Sequence, residues 1–438
     1  MSIDGFYMPN GDIEKYDYNG LVNKPFVTPE MFGAKGDGAT DDTLAVQEAI
    51  DSGLSVRLIN SYYLTSSLRI QESNRSLIGY NGASLISESG NILIVGSSSK
   101  TISNVFVSNI LFSCRGTSNA VLVSGERINK LYISYCVFDR FSSYGISVDG
   151  ATGYNYVDRC RFYSDASDSR YIHFGVSSSS VPINYWYVKN NAFEFGTGSS
   201  DGSNKNAILI ESGVMLEITN NDFANWNSGD VVYLKPTTTI SGVSIKDNDF
   251  YNIGDSTCIN INRSDSSSAL YDVSVDGNYF TSQSRTGACI VSSADTTYDI
   301  KDIILGKNKI KGSWTKIYDM NRVDNIYISS LNRVESGTSL PAISSLCSYQ
   351  NVRNVHPPVI KSYFAYATIP AGESSTLTVE LKNVPYTLQS YNPVLYINHS
   401  TGTGAIISAL SYDNTTGVIS VTIDNNATGA RNVRLSIV

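Results

Sequence analysis

LEITNNDF (Leu216–Phe223), VSIKDNDF (Val243–Phe250) and VSVDGNYF (Val273–Phe280) are three settings of one pattern: an apolar alternation, an Asn, and a Phe two places later. VFVSNILF (Val105–Phe112), LYISYCVF (Leu131–Phe138), WYVKNNAF (Trp186–Phe193) and IILGKNKI (Ile303–Ile310) follow it with small changes. Aligned on the last residue, the anchors are Phe112, Phe138, Phe162, Phe193, Phe223, Phe250, Phe280, Ile310 and Val334, in steps of 24 to 31 residues. A period of that size marks a solenoid or a propeller, and a propeller blade needs about 40 residues and four strands. Each step here holds about three short alternating runs joined by turns, which is one coil of a parallel β-helix.

Coils stacked about 4.8 Å apart turn equivalent residues into columns. Seven places before the anchor stand Val105, Leu131, Trp186, Leu216, Val243, Val273 and Ile303, and five before it Val107, Ile133, Val157, Val188, Ile218, Ile245, Val275 and Leu305. Period two points both columns inward. Two places before the anchor stand Asn191, Asn221, Asn248, Asn278, Asn308 and Asn332, with Cys136 and Cys160 there in two adjacent coils. Asn suits a left-handed bend, and its amide can bond the same amide one coil away. The two cysteines read as small buried fillers, with a disulfide as the lesser alternative.

Net charge is −8 with 16% charged residues, so the basic stripe of a nucleic-acid binder is missing. The polar surface has to come from Ser, Asn, Thr, Gly and the 29 Tyr, a face better suited to sugars than to polyanions. Tyr and Thr also fit strands for their own sake. The opening MSIDGFYMPNGDIEKYDYNG has no apolar h-region, and no run approaches the roughly 18 apolar residues of a membrane span. Neither a signal peptide nor membrane insertion is expected. The six cysteines show no metal-type spacing, and the sequence calls for no metal and no cofactor.

Ahead of the repeats, MFGAKGDGATDD (Met31–Asp42) leads into TLAVQEAIDSG. Asp41 reads as N-cap of a short helix with Leu44, Ala45, Val46, Ala49 and Ile50 on its apolar face. Such a helix plugs the open end of a first coil. No GxxxxGK[ST] phosphate loop is present. A calcium site on Asp37, Asp41 and Asp42 is the alternative use of these acids.

FGAKGDGATDDTLAVQEAIDSG resembles the lead-in motif of the pectate-lyase-like superfamily of right-handed β-helix proteins. SVRLINSYYLTSSLRIQESNRSLIGYNGASLI is similar to that family's first coils, although the usual Pro-x-Gly before the Tyr is absent. With the repeats, the resemblance covers roughly residues 26–350. It implies an all-β fold: a right-handed parallel β-helix (26–355), a short capping helix and a C-terminal β-sandwich. In the family this motif is common in bacteriophage tailspikes and capsule depolymerases, which are trimers, and it also occurs in secreted polysaccharide lyases and hydrolases. The lack of an export signal favours the phage branch. Residues 1–25 would then attach to phage tail or baseplate proteins. The expected location is the virion, after synthesis in the host cytoplasm and release by lysis. Beyond the Pro357-Pro358 break, FAYATI, STLTVEL, PVLYIN, AIISALSY, GVISVTI and RNVRLSIV read as six strands of a sandwich over 356–438, for trimerisation or carbohydrate binding.

The second alternation of each coil reads YGISVD, YIHFGV, AILIES, VVYLKP, CININR or CIVSSA. Its outward columns are Ser147, His173, Leu209, Tyr233, Asn260 and Val291, then Asp149, Gly175, Glu211, Lys235, Asn262 and Ser293. In the resembled family this face commonly forms the substrate groove. Asp149 and Glu211, two coils apart with Gly175 between them, would lie about 9.6 Å apart at the backbone. That suits an inverting glycosidase, with His173 and Tyr171 beside them and Asp230 in reach. Tyr233, Lys235, Arg170 and Asn260 would contact substrate. For β-elimination, His173 or Tyr171 would be the base and Arg170 or Lys235 would hold a uronate. The calcium-binding aspartates and catalytic arginine of true pectate lyases are not matched. The plainer alternative makes these residues ordinary solenoid surface. Asp222 and Asp249, one coil apart, form a second acidic pair, read here as solvated outward; Asp165 and Asp168 are further loop acids. Phe106, Tyr132, Tyr156 and Tyr187, six before the anchor, form an outward aromatic stripe that reads as a trimer interface. The expected function is a homotrimeric tailspike that binds and hydrolyses a bacterial surface polysaccharide. The alternative is a non-catalytic receptor-binding fibre on the same scaffold.

Overall fold

The computed structural model describes residues 26–329 apart from 126, 151–152, 167–168, 176–182, 196–204, 264–267, 283–286, 295–299 and 313. It also describes the strands 333–335, 342–343, 363–369, 374–380, 405–413, 418–425 and 431–437. These residues fall into two compact units, 26–172 with 183–187, and 173–175 with 188–195 and the described residues from 205 onward.

In the first unit the lead-in motif is a knot of local hydrogen bonds. The Asp42 carboxylate accepts from the backbone N–H of Lys35 (2.7 Å) and Gly36 (2.9 Å). Asp37 accepts from Ala39 and Thr40, and Asp41 from Thr43 and Thr65. Each of the three carboxylates is thus engaged in shaping this turn. The helix runs Thr43–Asp51 with Asp42, not Asp41, at the N-cap; Asp41 still supplies the oxygen that receives the Thr43 N–H. Ala45, Val46, Ala49 and Ile50 are buried, but Leu44 is 71% exposed, because the first turn points it away from the strands on which the helix packs.

Every strand pairing of the solenoid is parallel, and the columns are in register. Val105 pairs with Leu131 and Val107 with Ile133 in the first unit, where Phe112, Phe138 and Phe162 also align. In the second unit Ile218, Ile245, Val275 and Leu305 align, as do Phe193, Phe223, Phe250, Phe280 and Ile310. Each unit is therefore wound as a parallel β-solenoid, three strands to a coil, as in Gly213–Thr219, Asp222–Ala224 and Asp230–Leu234. The anchor Phe rings are fully buried and stack at 4.8 to 4.9 Å from Phe193 to Phe280. Burial contributes about 1.5–3 kcal/mol for each ring, and stacking adds to it.

The Asn column is an amide ladder. The side-chain N of Asn191, Asn221, Asn248 and Asn278 donates to the side-chain O of the next Asn at 2.9 to 3.0 Å. The left-handed bend, however, sits one residue earlier. Asn190, Asn220, Asp247 and Gly277 have φ between 53° and 70°, and Tyr135 (55°) and Arg159 (51°) in the first unit are left-handed too. The ladder Asn must turn its side chain inward, so the corner falls on the residue whose side chain points out. Cys136 and Cys160 are buried thiols not joined in a disulfide, each near a backbone carbonyl of the preceding coil. Cys347 and Asn332 lie outside the described residues.

Farther along, Tyr363–Ile369 pairs antiparallel with Arg431–Ile437, and Ser374–Glu380 and Ala405–Asp413 flank Val418–Asn425 antiparallel. Five of the six expected strands are thus present; PVLYIN lies outside the described residues, as do residues 1–25 and the expected boundary near 355. Among the described residues no helix is long and apolar enough to cross a membrane.

Candidate functional site

The second unit gathers His173, Glu211, Asp230, Tyr233, Lys235, Asn260 and Asn262 on the outer side of consecutive strands. Register places Leu209 beside Tyr233 and Tyr233 beside Asn260, and Asn262 beside Ser293, as the outward columns require. His173 Nε2 lies 2.9 Å from Glu211 Oε2, with the imidazole almost wholly buried. Glu211 is held at its backbone too, its N–H donating to the Phe174 carbonyl.

Asp230 opens the strand Asp230–Leu234, and its side-chain oxygen accepts from Asn260 Nδ2 at 3.0 Å. Asn206 fixes its backbone by donating to the Asp230 carbonyl at 2.7 Å. Burial raises the Asp230 carboxyl above the usual aspartate range, against the lowering effect of bonds from Asn260 and Thr257. Tyr233 is half-buried, and Asn262 Nδ2 donates to its phenolic oxygen at 3.2 Å. Burial raises its pKa first, then the Asp230 charge, and Glu211 adds to the rise against the Asn262 bond, so the phenol stays protonated. Lys235 is exposed. Asp230 starts its strand while Glu211 follows the end of its own, so their backbones are well separated and both charges act on Tyr233, which lies between.

Three expected site residues belong to the first unit. Asp149 ends the strand Tyr144–Asp149, in register with Ser124, and accepts from Ser147 Oγ at 3.3 Å. Arg170 lies 6.0 Å from the Tyr144 ring centroid. Tyr171 departs from expectation: it is fully buried against Phe141 and Phe162, and its hydroxyl donates to the Ser164 carbonyl. The strand Arg170–Phe174 is covered on both sides, so the alternation that placed Tyr171 outward does not hold, and this phenol cannot reach a substrate. Of the loop acids, Asp165 accepts from Tyr163 and Asp168 lies outside the described residues.

Asp222 and Asp249 are direct register partners, both exposed. Burial and then Glu194 raise the Asp222 carboxyl; burial and then Asp222 raise that of Asp249. Sequence reasoning passed over Glu194 and the role of Asn262. The second was legible in the outward column, but only the geometry shows that it meets Tyr233. Among the described residues no group of three or more His, Cys, Asp or Glu side chains is placed to hold a metal ion.

Two curated proteins match parts of the sequence. Depolymerase 1, capsule KN3-specific, from Klebsiella phage KN3-1 is 26% identical over 171 residues, 33% of this chain and 20% of that protein. The chain is similar to phage capsule depolymerases. Depolymerase 1, capsule K30/K69-specific, from Klebsiella phage K5-2 is 30% identical over 149 residues, 30% of this chain and 18% of that protein. The chain thus aligns with about a fifth of the length of the curated relatives it matches. No family model matches it. Among solved structures, the Streptococcus pneumoniae surface adhesin PfbA aligns with a TM-score of 0.48 at 12% identity, covering 78% of this chain and 96% of the adhesin. The tailspike protein of E. coli bacteriophage HK620 aligns with a TM-score of 0.44 at 12% identity, covering 99% and 96%. The fold assignment rests on this chain's own strand registers, not on those two likenesses.

Proposed function

We propose that the protein is a homotrimeric phage tailspike, carried in the virion through its N-terminal segment, that binds a bacterial surface polysaccharide and hydrolyses it. The curated relatives that match it are capsule depolymerases of phages, which supports the polysaccharide as partner. The observation that carries the chemistry is the pairing of Glu211 with His173 on the face where burial holds Asp230 toward its protonated form. Glu211, fixed by the imidazole, takes the proton of the attacking water. Asp230 gives its proton to the leaving glycosidic oxygen. Lys235 and Asn260 line the same face and orient the chain. An inverting pair works with its carboxyl groups about 6.5–9.5 Å apart, so this assignment requires the Glu211 and Asp230 side chains to reach toward each other over Tyr233 when the glycan is bound.

Glu211→Gln and Asp230→Asn should each lower turnover of a purified capsular polysaccharide by about a hundredfold or more. Reducing ends should form without ultraviolet-absorbing unsaturated ends, which only β-elimination produces. A second reading, a non-catalytic receptor-binding fibre, draws on the wide backbone separation of Glu211 and Asp230. It predicts that chain length stays constant while binding persists.

A further inference from the structure

We propose that Tyr233 is a hydrogen-bond donor to an uncharged acceptor oxygen of the bound glycan, and that Asn262 is the positioning residue that turns its proton outward. This rests on the polysaccharide reading above. The phenolic oxygen already accepts from Asn262 Nδ2 at 3.2 Å. A phenol has one proton to give, and an amide N–H bound to its oxygen leaves that proton to point elsewhere. Asn262 offers Tyr233 a donor, not an acceptor, so the two side chains form a relay with its donor end on the outer face. Tyr233 sits directly beside Asn260, whose own amide N–H is committed to Asp230. The relay thus leaves the phenolic proton for a ligand, on the same face as the exposed Lys235 ammonium.

The charge around it sets what the ligand group is. Asp230 lies three residues before Tyr233 on the same strand, and the Glu211 charge also reaches it. A uronate carboxylate placed on the Tyr233 proton would meet the Glu211 charge and would push the buried Asp230 further toward its protonated form; a ring, hydroxyl or amide carbonyl oxygen would not. The subsite therefore takes an uncharged sugar oxygen, the amide carbonyl of an N-acylated sugar among them.

The test uses the full-length protein on an immobilised panel of bacterial capsular polysaccharides, each uronate-containing member accompanied by its carboxyl-reduced form. Wild type should hold the carboxyl-reduced form more tightly than its parent. Tyr233→Phe should lose about fivefold to tenfold in affinity. Asn262→Asp should lose as much, because a carboxylate at that place accepts the phenolic proton and turns it inward, whereas Asn262→Ala should lose less. Unchanged thermal midpoints separate this from misfolding, since a structural role would make Asn262→Ala the worse variant. Tyr233→Phe binding like wild type, preference for the uronate form, or no binding to any member overturns the proposal. Selective binding without cleavage would remove hydrolysis and leave this inference standing.

Discussion

Asp222 and Asp249 show how a stacked fold charges individual residues for their neighbours. The register that lines up Phe223 with Phe250 also lines up the carboxylates just before them, and Glu194 adds a third negative charge. Burial first, and then these neighbouring charges, raise both groups, so each binds its proton more tightly folded than unfolded. Stability then falls as pH climbs from the unfolded carboxyl pKa, about 3.9, through the raised folded value, and the loss persists above it. Asp222→Asn or Asp249→Asn should therefore raise the thermal midpoint at about pH 7 and barely change it near pH 3, below the window. Equal effects at both pH values would mean that repulsion is not the cause. The same stacking made His173 and Glu211 legible as neighbours, because both lie outward at positions fixed by the repeat. Tyr171 was not legible: alternation distinguishes two faces of a strand but not whether the outer one is covered.

At the scale of the element, the Asn ladder is the strongest test of the coil. Asn248 accepts the backbone and side-chain N–H of Asn221, and donates to the Ile218 carbonyl and to Asn278. Removing it strands buried donors in the adjoining coil, each worth about 1–3 kcal/mol. Asn248→Ala should cost about 3 kcal/mol or more in chemical denaturation. Cys136→Ala, at the same column position, removes only a weak S–H donor and should cost about 1 kcal/mol. A similar cost for both would make the column a matter of volume alone. The column's place could be read from sequence because spacing fixes it. Its backbone conformation could not, since Asn is favoured both for amide stacking and for positive φ, and only the geometry assigns the first role to Asn220's successor and the second to Asn220 itself. The strands beyond residue 362 were read from alternation alone, which does not give their partners: Tyr363–Ile369 pairs with the distant Arg431–Ile437, and Ser374–Glu380 with Val418–Asn425.

For the molecule as a whole, the repeat determined the architecture, because a period too short for a propeller and too long for a single hairpin leaves stacked coils. Assembly is a separate question, and the aromatic stripe bears on it. Phe106, Tyr132, Tyr156 and Tyr187 stack at 4.8 to 4.9 Å with their planes within 13° of parallel, and all four are half-exposed. A sugar ring binds an aromatic side chain through its face, and here the faces between successive rings are taken by each other. What the stripe offers outward is a row of ring edges and hydroxyls, extended by the exposed pair Tyr154 and Tyr185. Such edges bury well against another protein surface. If the stripe is the trimer contact, light scattering on the wild type should give the mass of three chains. The double variant Tyr132→Glu and Tyr156→Glu should give the mass of one, because each new carboxylate would lose its water in the interface without a partner. Glycan binding per chain should survive in that variant, since Tyr233 and Asn262 lie in the other unit. A trimer that persists with both glutamates would place the contact elsewhere; a variant that loses glycan binding but stays trimeric would assign the stripe to the sugar instead.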